Sequence, residues 1–300
     1  KFNVTVKDFE AEALNKAKPE AEITLRQEAA NLINSGIYNE AVKVVIISER
    51  DSAISRINAA TTIENVNTIK DSAIDKIKNI RIIVGNAGYS DLQTAINAAT
   101  NKQTVEIVMG YDIVGTEVTI RTGKKVVNRS RLNIQDDATL KVQSGATFTN
   151  EGGITLFESQ QYNEETDETE IYGSCLSVEA GGTLNLTAGS YVMAFHGGDN
   201  IKLEVKGTLN AQKGALIIVL GGSVTGIEGI ETGFGHDPMN PHDDGTGVYG
   251  YNGTSWYRLD TPDLDGFDVS IKADGNLVIH AKALPDTIDV QVDDGAKRLI

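Results

Sequence analysis

The chain has 300 residues, of which 40% are hydrophobic and 23% charged, ordinary values for a folded protein of two or three domains. Its 27 Lys and Arg against 42 Asp and Glu give a net charge of −15, which disfavours nucleic acid and anionic membrane surfaces as partners. The single cysteine, Cys175, excludes an internal disulfide, and no apolar run is long enough for a membrane-spanning helix.

Residues 1–80 are predicted to form a helical bundle. Apolar residues at helical spacing predict helices over about 23–33 and 38–59, and a third helix that starts at Thr61. Thr61 and Glu64 have the spacing of a capping box, which marks a helix start. Three amphipathic helices joined by short turns are expected to bury their apolar faces against one another.

The run ERDSAISRINAATTIENVNTIKDSAIDKIKNI (49–80) resembles the three-helix modules repeated in staphylococcal and streptococcal surface proteins, some of which bind host albumin. The resemblance implies a cell-surface context. It gives no residue a role in albumin binding.

The middle of the chain repeats a pattern of a small residue, a short alternating strand and a glycine seven residues later. The three copies are ATLKVQSGATF (138–148), GTLNLTAGS (182–190) and GTLNAQKGALI (207–217). Aligning them predicts one inward ladder that contains Leu140, Leu184 and Leu209. Outward positions then carry Lys141, Asn185 and Asn210, which are not the paired carboxylates that a glycosidase needs.

The spacing of these copies predicts a parallel β-helix. The interval from Gly182 to Gly207 has the length of one coil in such a stack, with glycine at the tight corners. A longer interval precedes Gly182, and the acidic run 158–170 accounts for it as a solvated loop inserted into one coil. An antiparallel sandwich is the alternative architecture.

The segment GYSDLQTAINAATNKQTVEIVM (88–109) resembles the start of pectin-lyase-like β-helix domains in bacterial surface proteins. The matching residues are Tyr89, Leu92, Ala95, Ile96, Ala99, Thr104 and Val105. The resemblance covers about 81–227 and implies a capping helix near 90–99. It implies no activity, because this fold hosts enzymes and non-enzymes alike.

Residues 228–300 are predicted to form a glycine-rich loop followed by antiparallel strands. Turn signals predict hairpins over 248–259 and 267–281, and a further strand over 287–292. The predicted fold class is therefore mainly β: a short right-handed parallel β-helix at 81–227, an N-terminal helical bundle and C-terminal antiparallel strands.

Four aromatic residues on the first of these hairpins are candidate glycan- or partner-binding residues: Tyr249, Tyr251, Trp256 and Tyr257. Strand alternation places Trp256 and Tyr257 on opposite faces. One face would then stack on sugar rings while the other packs inward. Simple core packing is the alternative explanation.

Two loops are candidate cation sites. Four aspartates around Gly266 have part of the spacing of a calcium loop but lack its terminal glutamate: Asp260, Asp263, Asp265 and Asp268. The loop 236–244 mixes His and Asp in a way that suits a transition metal. A polar surface loop is the alternative in each case. The basic run 121–131 is either a contact for an acidic glycan or a solvated corner that balances nearby acids.

These features together predict a non-catalytic, adhesin-like module on the outside of a bacterial cell. We expect a monomer that binds a glycan or an extracellular protein, with calcium as the one candidate cofactor. Two alternatives are a polysaccharide lyase or hydrolase of the β-helix type, and an inert spacer in a longer surface protein.

Overall fold

The computed structural model describes residues 6–163, 168–195, 200–230, 247–259, 267–271 and 277–281. The chain divides into two compact units, Lys1–Leu259 and Asp260–Ile300. The first unit contains the helices and a parallel β-solenoid. The second contains one antiparallel pair of strands among its described residues. The predicted class, mainly β with N-terminal helices, is confirmed.

The three N-terminal helices are α1 (Val6–Asn34), α2 (Glu40–Ala59) and α3 (Ile63–Lys78). The Asn39 side chain caps α2 by accepting from the Val42 amide at 3.0 Å, and Thr62 caps α3 in the same way. Two details of the prediction are wrong: α1 extends well beyond 23–33, and the cap of α3 is Thr62 instead of Thr61. The helices pack around a shared core that includes Leu25, Ile46, Ile57 and Ile77.

A fourth helix, α4 (Leu92–Ala98), precedes the solenoid, and the described strands flank or follow it. In chain order the strands are β1 (Ile82–Val84), β2 (Ala87–Tyr89), β3 (Thr104–Ile107), β4 (Tyr111–Val114), β5 (Glu117–Ile120), β6 (Lys125–Asn128), β7 (Arg131–Gln135), β8 (Ala138–Val142), β9 (Thr147–Asn150), β10 (Gly153–Phe157), β11 (Ser159–Asn163), β12 (Glu168–Tyr172), β13 (Ser174–Val178), β14 (Thr183–Leu186), β15 (Tyr191–Phe195), β16 (Ile201–Val205), β17 (Thr208–Ala211), β18 (Leu216–Val219), β19 (Ser223–Thr225), β20 (Gly247–Tyr251), β21 (Trp256–Arg258), β22 (Phe267–Ile271) and β23 (Leu277–Ala281).

Three parallel sheets run along the solenoid. Sheet A contains β3, β6, β9, β14 and β17; sheet B contains β4, β7, β10, β15 and β18; sheet C contains β5, β8, β13, β16 and β19. Successive strands of one sheet come from successive coils, so four complete turns separate β3 from β17. Inward side chains of all three sheets form a single apolar core. The prediction of a parallel solenoid is confirmed.

The predicted leucine ladder is wrong in its register. Leu140 pairs with Leu176, which pairs with Leu203, all in sheet C. Leu184 and Leu209 do share a ladder, but in sheet A and in line with Phe148 instead of Leu140. The error arises because two different corners of the coil carry a glycine at positive φ: Gly145 lies at the corner between sheets C and A, and Gly189 at the corner between sheets A and B.

The acidic run is inserted into one coil, as predicted, but it forms an antiparallel hairpin of β11 and β12 instead of an irregular loop. Its effect on the repeat is visible in sheet A, where the step from β9 to β14 is much longer than the other steps. The strands of this sheet begin at Thr104, Lys125, Thr147, Thr183 and Thr208. The one long coil is the coil that holds the hairpin.

Helix α4 lies at the N-terminal end of the solenoid, within the segment for which a capping helix was predicted. Asp91 caps it by accepting from the Thr94 amide at 2.6 Å. Its buried residues Leu92, Ala95 and Ile96 belong to the solenoid core. Strand β1 pairs antiparallel with β3 and so covers the free edge of sheet A at this end. Both predicted hairpins, β20–β21 and β22–β23, are also confirmed.

Candidate functional sites

The aromatic hairpin lies at the C-terminal end of the solenoid, where β20 pairs antiparallel with β18. Tyr249 and Trp256 are buried in the solenoid core, and Tyr251 packs against that core. Tyr257 lies on the opposite face and is 45% exposed. The predicted alternation is therefore correct. It separates the four candidate residues, because three of them face inward and only Tyr257 faces fully outward.

A groove of about 450 Å³ opens beside this hairpin. It is lined by Leu209, Gly226, Ile227, Glu228, Gly229, Tyr251, Thr254, Ser255 and Trp256. The rings of Tyr251 and Trp256 form one wall; their centroids are 5.2 Å apart and their planes are tilted by 53°. We call this the end groove. It combines an aromatic wall with one carboxylate, that of Glu228.

A second polar cluster lies on the outer face of sheet B, and we call it the sheet B patch. It consists of Asp112, Arg131, Asn133, Thr155 and Tyr191. The Asn133 amide donates to the Asp112 carboxylate at 2.7 Å, and the Arg131 guanidinium lies 3.8 Å from the same carboxylate. Four coils thus contribute a carboxylate, a guanidinium, an amide, a hydroxyl and a phenol to this face of the sheet, on which the Thr155 side chain is buried.

Two glycines adjoin the long side chains of the sheet B patch, and only Gly153 is needed to make room for one. The Arg131 guanidinium lies over Gly110, where a methyl group would be 3.6 Å from its terminal nitrogen. The Tyr191 ring fills the space in which a side chain of Gly153 would stand. Burial raises the pKa of the Tyr191 phenol, while a hydrogen bond with Thr155 and the charge of Arg131 oppose that rise. The phenol therefore stays neutral at physiological pH, as both a donor and an acceptor.

Two buried polar atoms in the sheet B patch have no hydrogen-bond partner among the described residues: Nε of Arg131 and Oδ1 of Asn133. Buried groups of this kind are uncommon in folded proteins, because an unpaired donor or acceptor costs about 1–3 kcal/mol. Asn133 is only 8% exposed, whereas the side chains of Arg131 and Asp112 are 35% and 46% exposed. The patch therefore joins accessible charged groups to unsatisfied atoms beneath them.

Sequence reasoning missed this patch because the copies were aligned one strand out of register. Aligning Ala138 with Gly182 also places Leu132 and Ile134 in the ladder of Leu176 and Val178, because both pairs precede the aligned residue by the same intervals. In the structure, Leu132 instead lines up with Ile154 and Val192. The alternation Arg131-x-Asn133 before the first copy was the available signal, since both residues must face outward if Leu132 faces inward.

On the outward faces of sheets A and C, several polar side chains pair with one another. On sheet A the Asn210 amide donates to Asn185 at 3.0 Å, and the Asn185 amide donates to Thr149 at 3.1 Å. Lys141 is not part of that row, contrary to the predicted alignment; it lies on sheet C and pairs with Glu117 at 2.8 Å. That ion pair lowers the pKa of the Glu117 carboxyl.

The basic run 121–131 is engaged mainly with its own surroundings. Arg129 lies between Glu106, at 2.6 Å, and Glu151, with which it also pairs. Lys124 donates to the Ala99 carbonyl. This arrangement matches the predicted corner that balances nearby acids.

The candidate cation loops fall largely outside the described residues. Asp260, Asp263, Asp265 and the loop 236–244 all lie there, and Asp268 stands opposite His280 in the β22–β23 pair. Calcium binding stays a prediction. Within the described ranges, no group of three or more His, Cys, Asp or Glu side chains is arranged to hold a metal ion.

Fold and surface together define this chain as a protein with a parallel β-solenoid, an N-terminal helical region and outward polar clusters. A scan of family models, a search of curated proteins and a search of solved structures each found no match. Of the helices that the structure describes, none has the length and apolar character needed to cross a membrane.

Proposed function

We propose that the chain is a non-catalytic, adhesin-like module displayed on a bacterial cell surface, and that it binds a neutral glycan at the sheet B patch. The observation that carries the proposal is the pair of buried, unpartnered atoms, Arg131 Nε and Asn133 Oδ1, beneath half-exposed charged groups. A ligand with many hydroxyl groups would hydrogen-bond to the half-exposed Arg131 and Asp112 side chains that lie above these buried atoms.

The chemistry of the sheet B patch suits a sugar ring in three ways. The Asp112 carboxylate accepts hydrogen bonds from hydroxyl groups, and the Arg131 guanidinium donates them. The half-buried Tyr191 ring offers an apolar surface next to a polar tip. One cation and one anion at 3.8 Å leave the patch without net charge, which favours a neutral glycan over an acidic one.

Binding without turnover is proposed because hydrolysis of a glycosidic bond generally uses two carboxyl groups about 5–10 Å apart. The sheet B patch, as described, contains one, Asp112. The resemblance of 49–80 and 88–109 to segments of bacterial surface proteins supports the surface location. A rigid solenoid lowers the ordering cost of binding, and many copies on one cell would raise the avidity of weak contacts.

The test uses the full chain on arrays of neutral and acidic glycans and of host extracellular proteins, followed by calorimetry with each hit. We expect Arg131→Ala to weaken glycan binding at least tenfold. Arg121→Ala, which removes an exposed arginine of the same basic run, should leave it unchanged. Tyr257→Ala tests the aromatic hairpin as the alternative contact.

Other results would support one of three alternatives: a site on the aromatic hairpin, an enzyme or an inert spacer. Binding that survives Arg131→Ala but not Tyr257→Ala would transfer the site to the hairpin. Release of reducing ends or unsaturated products from any polysaccharide would establish the enzyme alternative. Failure to bind every glycan and protein would support the inert spacer. Antibody labelling of intact source cells tests the surface location independently.

A further inference from the structure

The last strand of sheet A, β17, is an open edge of the solenoid. No described strand pairs with its outer side, whereas β1 covers β3 at the other end of the same sheet. The inward side chains of β17 are also incompletely covered. Leu209 is only partly buried, although the residues that precede it in the ladder, Leu184 and Phe148, are 1% and 0% exposed. The apolar ladder therefore ends without a final layer.

Backbone geometry shows which groups face the open side. The amides of Thr208 and Gln212 donate inward to β14, to the carbonyls of Gly182 and Leu186, each at 2.9 Å. Alternate residues of a parallel strand direct their N–H and C=O groups to opposite neighbours. Leu209 and Ala211 therefore present two amides and two carbonyls to the open edge. This pattern of donors and acceptors is complementary to one extended strand.

The end groove adjoins this edge, since Leu209 lines both. Its remaining walls are the segment 226–229 and the hairpin residues around Trp256, and its one charged lining residue in the described chain is the exposed Glu228. Lys213 stands at the corner beyond β17, beside Gly253, and does not line the groove. A strand laid against β17 would thus meet an apolar wall and one carboxylate.

We propose that β17 and the end groove bind an extended segment of a partner protein, which adds a strand to sheet A. The segment carries apolar residues at alternate positions, to complete the ladder over Leu209, and a Lys or Arg that pairs with Glu228. Charge selects this occupant over a second copy of the chain, because two copies would bring net charges of −15 and two Glu228 side chains together. The site is distinct from the sheet B patch, because no residue of that patch lines the end groove or lies on β17.

The probe is a fluorescently labelled peptide, acetyl-Lys-Val-Thr-Val-Lys-Val-amide, titrated with the full chain. We expect saturable binding, measured by anisotropy, and a change in the emission of Trp256, the single tryptophan. A peptide with Glu in place of Lys should bind at least tenfold more weakly. Glu228→Lys should reverse that preference between the two peptides.

Methylated peptides test the backbone pairing on the unaltered protein. Two versions of the probe carry N-methyl groups on alternate amides, offset by one residue. Only one version blocks the amides that face β17, so we expect one to lose binding at least tenfold and the other to keep it. Equal affinity of both versions would overturn strand addition, as would failure of the unmethylated probe to bind.

A proline substitution tests the same contact from the protein side. Ala211→Pro removes an outward N–H, which an edge strand tolerates, so the chain should stay folded and lose the probe. Asn210→Pro is the matched control, because that N–H faces β14 and its loss should lower the melting temperature sharply. Equal probe affinity of folded Ala211→Pro and the unaltered chain would contradict the proposal.

Discussion

The side-chain amide of Asn128 donates a hydrogen bond of 2.8 Å to the side-chain oxygen of Asn150 inside the solenoid. Both residues are fully buried, at the same position of neighbouring coils. Asn128 also donates to the Gly153 carbonyl at 3.1 Å, and Asn150 donates to the Tyr191 carbonyl at 2.9 Å. The two amides thereby satisfy backbone groups where the chain turns from sheet A into sheet B.

Replacing Asn150 should therefore destabilise the fold more than replacing an exposed asparagine. Asn150→Ala removes two hydrogen bonds and leaves buried partners unpaired, so we expect the free energy of unfolding to fall by about 2–3 kcal/mol. Asn210→Ala, at an exposed position on the outer face of sheet A, should change it by less than about 0.5 kcal/mol. Urea titrations followed by circular dichroism measure both. Equal losses would show that the inner ladder has no special role.

The observed register of the leucines leads to a second prediction, which concerns the free energy of unfolding. Leu176 is fully buried between Leu140 and Leu203, so Leu176→Ala should cost about 3 kcal/mol. Leu209 lies at the open end of its own ladder, and Leu209→Ala should cost less than half as much. The same urea titrations apply. A larger loss at Leu209 would mean that the end of the solenoid is more tightly packed than its middle.

The sequence was sufficient to predict the architecture, because its strongest signals are local. Helical spacing, glycine corners and the alternation of Leu203 and Val205 each follow from the geometry of a single element. Register is a relation between distant strands. Sheets A and C carry similar short apolar strands, each followed by a corner glycine, so aligning Leu140 with Leu184 satisfied the local pattern equally well.

The sheet B patch could not be predicted from the sequence, because it too depends on the register between distant strands. Asp112, Arg131 and Tyr191 lie far apart along the chain, on strands of three different coils. Only the coil register brings them together. In contrast, the opposite faces of Trp256 and Tyr257 were predictable, because they depend on one strand alone.

Alanine substitutions at two corner glycines can distinguish two causes of lost stability: an unfavourable backbone conformation and steric overlap. Gly189 and Gly226 have φ values of +79° and +78°. Open space surrounds the site of a Gly189 side chain, whereas the Val205 carbonyl oxygen occupies that of Gly226. Gly189→Ala should cost about 1 kcal/mol through its φ alone, and Gly226→Ala about 2 kcal/mol more. Thermal unfolding of the pair measures the difference. Similar losses would assign the whole cost to φ.

Cys175 should react slowly while the protein is folded. Burial raises the pKa of its thiol to about 11, with Glu204 adding to the rise. Because the thiolate is the reactive form, alkylation by iodoacetamide at pH 8 should be about 100-fold slower in the folded chain than in urea. The folded-state rate should also rise about tenfold per pH unit until pH approaches 11. A plateau reached by about pH 10 would show that the thiol ionises normally.

The contact between Gly153 and Tyr191 can be tested without any ligand. The Tyr191 ring stands where a Gly153 side chain would be, so Gly153→Ala must displace the ring or the strand. We expect a loss of about 1–3 kcal/mol in the free energy of unfolding, the usual cost of overpacking. In a chain that already carries Tyr191→Ala the same substitution should cost little, because the space is then empty. The double-mutant cycle should therefore yield a coupling of at least about 1 kcal/mol, measured by urea unfolding of all four proteins. A coupling near zero would mean that the ring does not rest on Gly153. The geometry assigned to the sheet B patch would then be incorrect, whatever glycan the protein binds.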